Sequence, residues 1–184
     1  MSTSSGAAVK PAWQDPFMAP YPRNSVHNDA WASDNYATFS GPLDMPSGRD
    51  RLSAFREEMA RHGRPYIPAI EGNFTQETGR QAMERLLEEA PQLDGVFAAN
   101  DLMALGAVTA LHDHGKRVPE DVAVVGFDDS TAALACRPPL TTIRQPVEDM
   151  AAQMARLLLE HIEQPGRPVE SVIFEPTLIV RESA

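Results

Sequence analysis

Apolar positions show no regular spacing over the first 35 residues and a regular one thereafter. Residues 1–35 hold both tryptophans and four of the 16 prolines without a helical or strand period. They are expected to form an irregular or poorly ordered leader ahead of one domain spanning 36–184. From Tyr36 short apolar runs alternate with helical stripes. Tyr36–Ser40 reads as a strand that ends in a Gly-Pro turn. Ser47 is placed to cap a helix carrying Leu52, Phe55 and Met59 on one face and stopping at Gly63. Tyr66–Ile70 reads as a second strand, weakened by Pro68. Thr75 is placed to cap a helix with Ala82, Met83, Leu86 and Leu87 inward. Val96–Ala99 reads as a third strand, and Asn100 opens a helix that ends at Gly115.

The run Val122–Phe127 is nearly all apolar, the mark of a strand covered on both faces. Thr141–Arg144 predicts a further short strand. A long amphipathic helix follows, with Val147, Met150, Ala151, Met154, Leu157, Leu158 and Ile162 at three- and four-residue spacing. Gln164–Pro168 breaks it, and two strands are expected at Ser171–Glu175 and Thr177–Arg181. Strands alternating with helices around a buried central strand predict an α/β layer sandwich with a mostly parallel sheet flanked by helices.

Composition narrows the function classes. The net charge of −10 opposes binding to nucleic acid by this chain alone, because its few basic residues are scattered and often sit beside acids. The single cysteine, Cys136, makes neither a disulfide framework nor a multi-cysteine metal site. His112 and His114 stand two apart late in a helix and do not share a face for a metal; His114 and Lys116 suit the helix C-terminus. No apolar run reaches the roughly 20 residues of a membrane span, and the first residues lack the apolar core of a secretory signal. A cytoplasmic protein is expected. No dinucleotide fingerprint, phosphate loop or nucleophile elbow is present, and no nucleophile meets a base. No catalytic residues, metal or cofactor are expected.

In an open parallel sheet, ligands sit at the carboxyl ends of the strands. Arg49 and Arg51 follow the first strand, Asn73 and Phe74 the second, Asn100 and Asp101 the third, and Asp128 and Asp129 the fourth. A carboxylate accepts from vicinal hydroxyls, a guanidinium donates in a fork, and a carboxamide does both. With an aromatic face for a ring, the set suits a small polyhydroxylated ligand. Each residue also has a purely structural reading. Asn100 and Asp101 serve as helix caps, Asp128-Asp129 as a turn, Arg51 as a solvated side chain and Phe74 as packing beneath a loop.

Six motifs in order resemble the LacI/GalR family of bacterial transcription regulators over residues 37–184. They are ATFSGPLDMPSGRDRLSAF (37–55), EGNFTQETG (71–79), DGVFAANDLMALGAVTAL (94–111), VPEDVAVVGFDDS (118–130), RPPLTTIRQP (137–146) and PTLIVRES (176–183). The resemblance implies a periplasmic-binding-protein-like fold in which two α/β subdomains clamp a small effector, usually a sugar or nucleoside-like molecule. It implies effector contacts at Arg51, Phe74, Asn100 and Asp128, with Gln145 near the crossover between subdomains. Where some members place an aromatic two residues after that glutamine, this chain has Val147. The C-terminal subdomain is expected to be largely complete. The helix-turn-helix head and most of the N-terminal subdomain, which in the family precede residue 37, are not found ahead of it.

The resulting expectation is an effector-binding and dimerisation module of a LacI-type regulator of carbohydrate-related genes. Its partners are a small effector, a second copy of the chain, and operator DNA only through the missing head. Dimer contacts would fall on the 75–90 helix and around Thr131–Cys136. A sugar-binding protein of a transporter shares the fold and is the alternative; an enzyme on a flavodoxin-like sheet lacks a catalytic set.

Overall fold

A computed structural model of the protein describes residues 35–64, 68–164, 166, 168 and 171–184; of the expected 1–35 leader only Asn35 falls among them. Among them, 35–144 and 179–184 form one compact unit, and 145–178 belong to a second. Along the chain the elements are β1 (Tyr36–Ser40), α1 (Pro46–Arg61), β2 (Ala69–Glu71), α2 (Gln76–Glu89), β3 (Gly95–Ala98), α3 (Asp101–Asp113), β4 (Ala123–Asp128), α4 (Thr131–Ala135), β5 (Thr141–Arg144), α5 (Val147–Glu163) and β6 (Thr177–Ile179). The strand order is β2-β1-β3-β4-β5-β6, and every pairing from β2 to β5 is parallel.

Alternation along the strands divides the sheet into two faces. Ala37, Phe39, Val96, Ala98, Val122 and Val124 enter one buried cluster with Met83, Leu86, Met103 and Leu111 of α2 and α3. On the other face Phe55 of α1 stacks on Phe97 of β3, with ring centroids 5.0 Å apart. This division follows from right-handed crossovers. The β1–β2 connection runs one way along the sheet and the next two run the other way, which puts α1 opposite α2 and α3.

Several boundaries differ from the sequence expectation. Helix α1 starts with Pro46 in its first turn and Met45 as N-cap, not at Ser47, because the fixed φ of proline suits the first helical position. Strand β2 covers Ala69–Glu71, and residues 65–67 of the expected Tyr66–Ile70 strand lie outside the described set. Residues 171–176 form no strand, and the expected 177–181 strand shortens to Thr177–Ile179. The tail beyond it is held by Ser183, fully buried between β4 and β5. Its hydroxyl donates to the Val124 carbonyl at 2.6 Å and accepts from the Thr141 amide at 2.9 Å. Short α4, capped by Ser130, had no periodic signal at five residues. The caps at Thr75 and Asn100 match their prediction.

In the second unit α5 carries no buried residue. Its expected stripe is present, with Val147, Met154, Leu158 and Ile162 exposed and Met150 and Leu157 half-buried. Among the described residues no helix is long and apolar enough to cross a membrane.

Helices α2 and α3 approach through glycines. A Cβ on Gly106 would overlap the carbonyl oxygen of Gln76, and one on Gly79 would overlap the backbone of Met103. Gly106→Ala gains about 1 kcal/mol of helix propensity, and overpacking against backbone that cannot yield costs about 1–3 kcal/mol or more. The expected outcome is a lower urea midpoint at unchanged slope. A midpoint equal to or above that of the parent would mean the two helices can separate without loss.

Candidate functional site

The order β2-β1-β3-β4-β5 reverses direction at β1 and β3, and such switch points open a crevice beyond the strands' carboxyl ends. Residues at or after the ends of four strands converge there. Phe74, after β2, has φ +65° and its ring covers Gly41, the first residue after β1. A Cβ on Gly41 would fall inside that ring, so the ring's place depends on the glycine. The Phe74 carbonyl accepts from Asn100 Nδ2 at 3.0 Å, while Asn100 Oδ1 accepts from the Met103 amide at 2.9 Å. Asn100 is therefore a helix cap and also a brace for the Phe74 turn. Its other Nδ2 hydrogen is the one it has left to donate.

Arg51 lies in the second turn of α1, and its side chain is only 17% exposed. Nη1 donates to the Ala99 carbonyl at 2.5 Å, and Nη2 lies 3.4 Å from Asp128 Oδ1. The guanidinium carbon is 3.9 Å from the centroid of Phe127 and 5.8 Å from that of Phe74. Burial pushes the guanidinium below its usual pKa and Asp128 pulls it back; it remains charged. The solvated reading of Arg51 is thus excluded. Asp128, 35% exposed, presents its carboxylate beside this cation from a backbone with φ +110°.

The neighbours of these residues turn inward. Asp101, almost wholly buried, accepts from Thr142 Oγ1 at 2.6 Å and from the Ser130 amide at 2.6 Å. A Cβ on Gly126 would overlap its Oδ1, so the glycine of the GFDD segment makes room for the aspartate of the AND segment. Asp129 accepts from Arg181 Nη2 and Arg144 Nε, each at 2.6 Å. Arg49 and Asn73 serve local loops. Arg49 donates to the Leu43 and Asp44 carbonyls, and Asn73 Oδ1 accepts from Thr75 and Thr78.

Gln145 belongs to the second unit, where it is half-buried and its carbonyl accepts from the Val147 amide at 2.8 Å. Phe127, the closest ring to Arg51, went unnoticed in the sequence, where it reads as the last apolar residue of a buried strand. A shallow recess bounded by Leu93, Asp94, Lys116, Pro119 and Asp121 lies at the opposite, amino ends of β3 and β4 and contains none of the site residues. Cys136 is buried, which pushes its thiol up to about 11, as suits a packing residue. Among the described residues no three His, Cys, Asp or Glu side chains come together to hold a metal.

A parallel sheet of this order, flanked by helices on both faces, is the architecture of a periplasmic-binding-protein-like subdomain. The family described as a periplasmic binding protein-like domain matches residues 35–184. The transcriptional regulator CelR of Thermobifida fusca is 46% identical over 149 residues, covering 80% of this chain and 44% of that protein. The ribose operon repressor of Escherichia coli K12 is 37% identical over 150 residues, covering 80% and 46%. Among solved structures, the CelR–cellobiose complex aligns at a TM-score of 0.80 with 44% identity, covering 83% of this chain and 47% of that one. The Lac repressor bound to ONPG in its repressed state aligns at 0.77 with 30% identity, covering 84% and 47%. The chain belongs to the LacI/GalR family and is part of its effector-binding domain. It spans less than half the length of these relatives.

Burial alone would raise the Asp129 carboxyl, but hydrogen bonds from Arg181 and Arg144 bring it below the usual range. Unfolded, it titrates near about 3.9. Its stabilisation is therefore complete above that value and disappears as pH falls through the lower folded value. Urea unfolding of the parent and Asp129→Asn from pH 7 to pH 2.5 is expected to show a gap that closes below about pH 4. A gap independent of pH would reject the ionic account of this cluster.

Proposed function

We propose that this chain is the effector-sensing and dimer-forming part of a LacI-type regulator of carbohydrate-related genes, with a small sugar as effector. The observation that carries the reading is the Arg51–Asp128 pair at the switch-point edge, 3.4 Å apart and partly open to solvent. A guanidinium and a carboxylate side by side donate to and accept from neighbouring hydroxyls, which few ligands other than sugars present in series. Phe74 supplies an aromatic face and Asn100 its spare N–H; Gln145, in the other unit, remains a contact implied by the family resemblance alone. Sugar chemistry also fits the names of similar proteins, one a complex with cellobiose and another a ribose operon repressor. The transporter alternative is disfavoured because the similar proteins are named as transcriptional regulators. A regulator of this kind works in the cytoplasm. Operator DNA enters the reading only through a head outside these residues, since a net charge of −10 repels phosphate.

Calorimetric titration with cellobiose and with ribose tests the site. Arg51→Ala and Asp128→Ala each remove one partner of a charged hydrogen bond, a loss of about 1.5–3 kcal/mol or roughly tenfold to a hundredfold in affinity. Binding by the parent that neither substitution weakens would reject the assignment.

For association, the reading places a closed, isologous homodimer on α2 and α4, where Leu134 is exposed. The α5 stripe is a second apolar surface, and patches of this kind recruit partners without closure. Leu157 is half-buried, so lysine replacements belong at Leu158 and Ile162, which are 61% and 63% exposed. Light scattering is expected to show a dimer with concentration-dependent larger species that Leu158→Lys with Ile162→Lys reduces. A monomer throughout the micromolar range contradicts both surfaces, and an unaltered profile in the variant contradicts the second.

A further inference from the structure

The chain leaves the sheet unit after Arg144 and returns to it at Ile179. An arginine at each passage reaches the same carboxylate. Arg144, the last residue of β5, donates from Nε to Asp129 Oδ2, and Arg181, two residues after β6, donates from Nη2 to Asp129 Oδ1. Arg181 Nη1 also donates to the Leu140 carbonyl at 2.9 Å. The Asp129 side chain is 5% exposed, so these bonds are made with little competition from water.

Asp129 is covalently joined to Asp128, and both adopt left-handed backbone, with φ +55° and +110°. Non-glycine residues hold such angles only where surrounding contacts over-determine them. The Asp129 carboxylate provides two of those contacts. Its amide donates to Thr142 Oγ1 at 3.4 Å, and the next amide, of Ser130, is held by Asp101.

We propose that Asp129 is a positioning residue with two attachments. Through the backbone it aims the Asp128 carboxylate at Arg51, and through Arg144 and Arg181 it ties that turn to both passages of the chain between the units. Only the role given to Asp128 rests on the sugar-effector reading; the tie to the two passages stands on the ion pairs themselves. Removing the carboxylate leaves two guanidiniums facing each other, one of them 15% exposed, so the turn and both passages loosen together.

Hydrogen–deuterium exchange on the full 184-residue chain tests this, with Asp129→Asn, Arg144→Gln and Arg181→Gln beside the parent. Asp129→Asn is expected to speed exchange about tenfold in peptides covering 127–130, 141–146 and 179–183, and to leave α2 and α3 unchanged. Arg144→Gln should loosen 141–146 alone and Arg181→Gln 179–183 alone, and these two decide the matter if Asp129→Asn does not fold. Uniform acceleration that includes α2 and α3, or no change at either passage, overturns the proposal. With cellobiose as the probe, Asp129→Asn is expected to bind about tenfold more weakly than the parent. Unaltered affinity in a variant whose turn has loosened overturns the aiming of Asp128. Failure of the parent to bind cellobiose counts against that effector, and the exchange result still decides the tie.

Discussion

At the first turn of α3 a carboxylate is withdrawn almost entirely from water, and three connections depend on it. Asp101 accepts from Thr142 on β5 and from the Ser130 amide at the start of α4, and it lies against Gly126 of β4. A buried carboxylate left without partners would be costly, so α3, β4 and β5 can come together only in the register that supplies both donors. That register brings the ends of β4 and β5 side by side, with Asp128 opposite Arg144. Asp128 and Asp129 diverge from that point.

Adjacent residues take opposite duties throughout this edge. Asn100 caps α3 and holds the Phe74 carbonyl while Asp101 gathers Thr142 and Ser130; Asp128 faces Arg51 while Asp129 gathers the tail and the end of β5. In an extended backbone neighbouring side chains point to opposite sides, so two successive polar residues at a strand end reach different partners. In the 128–129 pair this division extends into left-handed backbone. A strained turn has few alternative conformations, which fixes the direction of the Asp128 carboxylate.

The strand-helix alternation was legible because its signals are periodic and local: the stripes of α1, α2 and α5, and the buried run of β4. Convergence of Arg51, Phe74, Asn100 and Asp128 on one edge followed from the rule for parallel sheets together with the family motifs. The geometry left four of them in that neighbourhood and Gln145 in the other unit. Long-range partnerships carried no local signal. Nothing near Arg51 in sequence marks Phe127 as its stacking partner, 76 positions away, and nothing near Asp129 marks Arg181, 52 positions on. The missing strand at 171–175 was a failure of another kind. Alternating Val172 and Phe174 satisfy a period of two, but a strand also needs a neighbour to share its backbone hydrogen bonds, and periodicity cannot supply one.

The state of Arg51 bears on how such an edge would bind. The guanidinium is bonded to the Ala99 carbonyl and laid on Phe127, so little rotamer freedom would remain to be lost on binding. Small-molecule sites commonly bury 70–90% of their ligand, and an open sheet edge encloses much less. Affinity at this edge would therefore rest on the few directed bonds from Arg51, Asp128 and Asn100 more than on excluded water. Bonds made near solvent contribute less than bonds made in an enclosed site, because water competes for each partner. A pre-set edge of this kind would select the arrangement of a ligand's hydroxyls even where it holds the ligand weakly.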